Sequence, residues 1–387
     1  MSVMETVVAP VQPASPMAEM TVEEGHLIIQ RSGQTKIRLH PIWLRERLND
    51  ARITDPLTGQ RLIEAADLPL DLTITAVSEN LTLQFSDGFE CILSERWIND
   101  ILSGSPEQQP VLWDSTLTLP ESYDFSEIQR QHRKDPSHNP PLAAFLDQLK
   151  TYGFSIVSNV PTHMDGALEF AGTIGPIRYT NWGGLADVKA IANAYDLTMT
   201  PRHLEPHSDN PYREPVPGYI LLHCLTNDAA GGDSTLVDGF KAAETLRIQD
   251  PEAFETLTST IVQFRYRDST SLLENRAPLI SLDEKGSVRQ VRYSNRTELI
   301  DLLPDEHLDR YYRARQALWH LILPASPLTL GFKLKPGDLL MMDNYRLYHG
   351  RSGYTLDHGS RHMRQCYMDR DIVASKRDVL KRQKQAI

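Results

Sequence analysis

Cysteine is scarce in this chain. Only Cys91, Cys224 and Cys366 occur among 387 residues. They are too few and too scattered for a disulfide framework or a cysteine-rich zinc centre, so a reducing, cytoplasmic setting is expected. Long apolar runs are also missing. The opening MSVMETVVAPVQPASPMAEM has neither a basic start nor a continuous apolar stretch. It reads as neither a signal peptide nor a membrane span, and its Pro, Ala and Ser content predicts a flexible leader over residues 1–25. Positive charge is in deficit: 40 Lys and Arg against 51 Asp and Glu give −11. That argues against nucleic acid or an anionic membrane as a partner, but leaves room for a local basic pocket that holds a small anion.

What remains is an ordinary soluble composition, 40 % hydrophobic and 24 % charged, sufficient for a packed core. The length predicts one large or two unequal domains. Residues 26–105 read as a small β-rich unit: LIIQ, KIRL and LTITAVSENLTLQFSDGFECIL carry short strand patterns separated by turn signals. Trp43, Leu44, Phe85, Ile92 and Trp97 are its expected core. Residues 106–140, rich in Pro, Ser and charge, read as a linker. From residue 141 to 387 a second unit begins with PLAAFLDQLKTYG, an amphipathic helix stopped by Gly153. Many short strands follow, interrupted by a helix over about Glu306–Leu323 and closed by a basic helical tail. The pattern predicts a mainly β fold, a jelly roll with flanking helices.

The chemistry-bearing residues lie in this second unit. In an extended chain residues i and i+2 project to one side, so His207 and Asp209 of HSD can face a common metal. His349, in DNYRLYHGRSG, can complete the set. Two imidazoles and a carboxylate leave three coordination positions open, which suits non-haem Fe(II) binding a co-substrate and O2. An HxD triplet alone is weak in a chain with 13 histidines. The competing reading is an exposed histidine beside an acid, as in a non-catalytic jelly-roll binding module. Twelve residues after His349, Arg361 is placed to grip a dicarboxylate by a bidentate pair.

Together, WLRERLNDA, NAYDLTMTPRHLEPHSDNPYREPVPGYILLHCL, GGDSTLVDGF, DNYRLYHGRSGY and SRHMRQCYMDRD resemble the Fe(II)/2-oxoglutarate dioxygenases. More narrowly they are similar to the γ-butyrobetaine hydroxylase and trimethyllysine hydroxylase group, over about residues 26–380. The resemblance implies a double-stranded β-helix catalytic domain and a small N-terminal domain. It implies His207, Asp209 and His349 as iron ligands, with Arg361 and Ser234 at 2-oxoglutarate. It also implies a homodimer acting on a small molecule. The family's N-terminal zinc cysteines are absent here, so no structural zinc is expected.

A quaternary ammonium cannot donate a hydrogen bond and must be recognised by aromatic faces. The resemblance implies such a cage at Tyr195, Tyr367, Trp182 and Tyr179. Asn193 and Asn295 fall where the family contacts the substrate anion, and Arg296 adds a positive charge. An added arginine favours a dianionic phosphonate over a carboxylate. The expectation is therefore hydroxylation of a trimethylammonium zwitterion. It leans to 2-(trimethylamino)ethylphosphonate, attacked at the CH2 next to phosphorus, with γ-butyrobetaine as the alternative.

Overall fold

The structure is a computed structural model that describes residues 19–30, 35–94, 96–99, 109–190, 200–355 and 359–384. The chain divides into two compact units, Met1–Glu107 and Gln108–Ile387.

The first unit contains two three-stranded antiparallel sheets, Glu19–Glu23, His26–Gln30 and Ile37–Leu39 in one, Ile74–Val77, Thr82–Phe85 and Glu90–Ile92 in the other. Leu27, Ile29, Leu44, Leu48, Ile53, Leu83 and Phe85 form its core, with Trp43 and Trp97 packed partly buried against it. One expected core residue faces the other way: Ile92 is 74 % exposed. Side chains alternate across a strand, so with Cys91 and Leu93 inside, the intervening isoleucine must point out.

The second unit is built on two sheets, neither closed on itself. The larger has the strand order Tyr123–Asp124, Phe154–Ser158, Leu339–Asp343, Tyr219–Asn227, Arg361–Met368, Ala186–Lys189. The smaller has the order Leu204–His207, Leu347–Arg351, Ser234–Asp238, Thr329–Phe332. All of these pairings are antiparallel except the short first one. Period-two alternation explains the layering. Ile220, Leu340, Met342 and Met363 of the six-stranded sheet meet Leu236, Leu330 and Leu347 of the four-stranded sheet. Their neighbours Tyr219, Leu221, Met341 and Cys366 face the opposite side, where they pack against Phe125, Phe145, Phe170 and Val373. Those come from the helices Phe125–Lys134, Pro140–Tyr152, Gly166–Ile174 and Arg370–Lys384. The first of these helices lies in the stretch read as a linker; Phe125 and Ile128 give it an apolar stripe that packs into the same core, Phe125 meeting Phe170 edge-on at 6.1 Å. Helices Gly239–Gln249, Pro251–Ser259 and Asp305–Ile322 cover the other sheet. The helix beginning at Pro140 ends at Gly153, whose φ of +80° favours glycine.

A buried ion pair ties these layers together. Asp238 accepts from Arg346 Nε (3.1 Å) and Nη2 (2.7 Å), and caps the next helix through the Phe240 and Lys241 amides. Arg346 also donates to the carbonyls of Thr151 (2.9 Å) and Val111 (2.6 Å). No described helix is long and apolar enough to cross a membrane.

Candidate active site

The strands Leu204–His207 and Leu347–Arg351 lie side by side, and their register sets His207 directly opposite His349. The imidazole centroids are therefore 4.3 Å apart. Asp209 follows on the same side as His207. Its Oδ1 lies 3.4 Å from His207 Nε2 and 3.7 Å from His349 Nε2. One ligand atom from each residue falls within 4.8 Å of the others, and no other such group of three metal-ligating side chains occurs among the described residues.

The groups are prepared for a cation. His207 Nδ1 lies 2.8 Å from the Glu205 carbonyl, which turns Nε2 toward the centre. Burial, reinforced by the neighbouring His207, pushes His349 down to about 3, so its imidazole is neutral and able to ligate. Burial alone would raise Asp209, but His349, His207 and the Tyr367 hydroxyl together hold its carboxyl below the usual range. Two imidazoles facing a carboxylate are a donor set that fits a divalent transition metal with open positions.

A cavity of about 530 Å³ opens onto these three residues. Ser234, Arg351 and Arg361 line it. Arg361 is 4 % exposed; its Nε donates to the Gly232 carbonyl (3.3 Å), while its Nη1 has no partner among the described residues. A buried guanidinium with unused donors fits a carboxylate. Gly232, at φ +73°, makes room for it, since a Cβ there would sit 2.9 Å from Arg361 Cδ. The second glycine of GGDS thus shapes the site. Arg351 is the cross-strand partner of Ser234 and donates to the Thr200 and Arg202 carbonyls.

Aromatic rings line another part of the same cavity: Trp182, Tyr212, Tyr266 and Tyr367. Trp182 meets Tyr266 edge-on at 5.2 Å, and Tyr212 stacks on Tyr266 at 5.3 Å. The Arg213 guanidinium lies over the Trp182 ring at 5.2 Å. Tyr367 donates to Asp209 Oδ2 at 2.8 Å. Arg265, Arg267, Arg296 and Arg364 also line the cavity, Arg265 paired with Glu274 and Arg364 with Asp187.

The sequence-derived residues therefore separate into groups. His207, Asp209, His349, Arg361, Ser234, Tyr367, Trp182 and Arg296 share the cavity. Tyr179 does not: it is 78 % exposed, because Arg178 takes the backbone pairing with Tyr367 and the next side chain turns outward. Asn295 is also exposed, its Oδ1 accepting from Arg315 Nη2 (3.2 Å). Asn193 and Tyr195 fall outside the described residues. Sequence reasoning missed Tyr212 and Tyr266. The first stands three residues after Asp209, in a segment already singled out. The second shares a face with Phe264 on a strand whose inner face could not be assigned from periodicity.

The family model "Taurine catabolism dioxygenase TauD, TfdA family" matches residues 124–367. A γ-butyrobetaine dioxygenase from Pseudomonas sp. (strain AK-1) is 32 % identical over 356 residues, 89 % of this chain and 90 % of that protein. A trimethyllysine dioxygenase from Meyerozyma guilliermondii is 27 % identical, covering 91 % and 92 %. Among solved structures, asparagine oxygenase in complex with Fe(II), hydroxyasparagine and succinate aligns with a TM-score of 0.48 at 17 % identity, covering 62 % of this chain and 79 % of that one.

Proposed function

Because the chain belongs to the TauD/TfdA family of dioxygenases, which work with Fe(II), 2-oxoglutarate and O2, we propose that it hydroxylates a small trimethylammonium zwitterion. The observation that carries this reading is the aromatic wall of Trp182, Tyr212, Tyr266 and Tyr367, facing the cavity that also holds His207, Asp209 and His349. Each ring face attracts a quaternary ammonium by about 0.5–2 kcal/mol.

His207, Asp209 and His349 are the residues that would hold iron. The chemistry supplied by the metal when bound couples oxidation of 2-oxoglutarate, to succinate and CO2, with oxidation of a substrate C–H to C–OH, consuming one O2. This chain's side chains do the rest. Arg361 holds the far carboxylate of 2-oxoglutarate, with Ser234 beside it. The aromatic wall fixes the trimethylammonium end. Arg296 and Arg267, which also line the cavity, supply positive charge for the anionic end of the substrate.

The head group is read as a phosphonate, with hydroxylation at the CH2 next to phosphorus, because several arginines stabilise a dianion more than a monoanion. γ-Butyrobetaine is the second reading, favoured by the Pseudomonas relative named above. Succinate release should be measured with 2-(trimethylamino)ethylphosphonate and γ-butyrobetaine side by side, with and without Fe(II). Higher kcat/KM for the phosphonate is expected. The reverse order would exchange the two readings, and no iron-dependent turnover of either would reject the trimethylammonium assignment.

A further inference from the structure

Asp209 offers two oxygens, and only one of them faces the histidines. Oδ2 is turned away and occupied. Gln365 Nε2 donates to it at 2.6 Å and the Tyr367 hydroxyl at 2.8 Å. Gln365 Nε2 also donates to the Tyr367 oxygen at 2.8 Å, closing a three-membered ring of hydrogen bonds. The two residues stand at i and i+2 of the strand Arg361–Met368, so both point from one face. Arg361, on that same face, reaches the same cavity. The peptide of Asp209 is held separately: its amide donates to Asn344 Oδ1 (2.7 Å), and Asn344 Nδ2 donates to its carbonyl (2.9 Å).

We propose that Gln365 is a positioning residue for the metal: with Tyr367 it occupies Asp209 Oδ2, so that the carboxylate ligates through Oδ1 alone and a coordination position stays open for the reactants. This rests on the assignment of His207, Asp209 and His349 as the ligands. A free carboxylate can rotate or close on an ion through both oxygens; one tied by two donors at its outer oxygen cannot do so without losing them. Gln365 also touches the hydroxyl of a residue in the aromatic wall, so the position of the wall and the aim of the ligand are set by the same side chain.

The test is a titration of the metal-free full-length chain with Co(II), followed by the visible absorption of the bound ion. Four chains are compared: the parent, Asp209→Ala, Gln365→Leu and Gln365→Met, the last guarding against a folding defect peculiar to leucine. Asp209→Ala should abolish saturable binding. Both Gln365 variants should weaken it by about tenfold to a hundredfold, the usual effect of removing a partner of a ligand. Their metal-free melting midpoints should stay at the parent's value, which a merely structural role would not predict. In Gln365→Leu/Tyr367→Phe the loss should be less than the sum of the single losses, since both donors act through one oxygen. The inference is overturned if both Gln365 variants bind Co(II) within about twofold of the parent, the tolerance of such comparisons, while Asp209→Ala does not bind. Undiminished binding by Asp209→Ala would instead overturn the ligand assignment, and the inference with it.

Discussion

Arg361→Met should weaken the grip on 2-oxoglutarate without weakening the fold. The arginine is buried, yet among the described residues it donates only to the Gly232 carbonyl at 3.3 Å, and Nη1 has no partner there. Holding a guanidinium this way carries a desolvation cost, and burial lowers its pKa from the ordinary value. Methionine has a similar reach and no charge, so the metal-free protein should melt at the same temperature or slightly higher. The co-substrate loses a bidentate pair. Each charge-assisted bond is worth about 1.5–3 kcal/mol, and two that share a carboxylate add up incompletely, giving about 3–4 kcal/mol. At about 1.4 kcal/mol per tenfold, the KM for 2-oxoglutarate should rise by roughly two to three orders of magnitude. Steady-state succinate formation at varied 2-oxoglutarate and a melting curve of the metal-free chain measure both halves. A KM within threefold or so of the parent, less than 1 kcal/mol, would refute the assignment. A large fall in melting temperature would show that Arg361 is held by the fold rather than kept for a ligand.

Tyr266→Leu should raise the KM for the trimethylammonium substrate by about 2–30-fold, the loss of one cation–π face, and leave the KM for 2-oxoglutarate in place; steady-state kinetics in both substrates separates the two. Arg346→Met should cost about 3–5 kcal/mol, because it strands Asp238 at a site with no exposure; chemical denaturation reads this directly. His223 is fully buried, and burial pushes its pKa down to about 4 from 6.5. The unfolded chain therefore takes up the proton first: stability is complete above about pH 6.5 and declines by up to about 3 kcal/mol as pH falls toward 4. His223→Leu should flatten that part of the pH–stability curve, and an unchanged slope would contradict the burial argument.

Much of the candidate metal site could be read from spacing. An HxD triplet on extended backbone puts two ligands on one side whatever the rest of the fold does. What spacing could not show is that His349 is the cross-strand partner of His207, because register between strands so distant in the chain depends on the whole sheet. Helix boundaries with strong caps, such as the Gly153 stop, were visible for the same local reason. The helix Phe125–Lys134 was hidden by its high charge; only Phe125 and Ile128 turn inward. Ile92 was misassigned by a single step of strand alternation, and Tyr179 was displaced by the pairing of the residue before it. The aromatic wall needs Tyr266 to approach from a distant strand, which no local pattern encodes. Gln365 carries no sequence signal at all, since its importance comes only from the carboxylate opposite.

The pairing of His207 with His349 has a further consequence for the life of the molecule. An ion seated between two neighbouring strands acts as a rivet through their register: slipping either strand by one residue would throw one imidazole to the opposite face. Metal loading and correct strand alignment therefore favour each other, and the protein's resistance to heat should climb with the free metal concentration in the logarithmic manner of any ligand that prefers the native state.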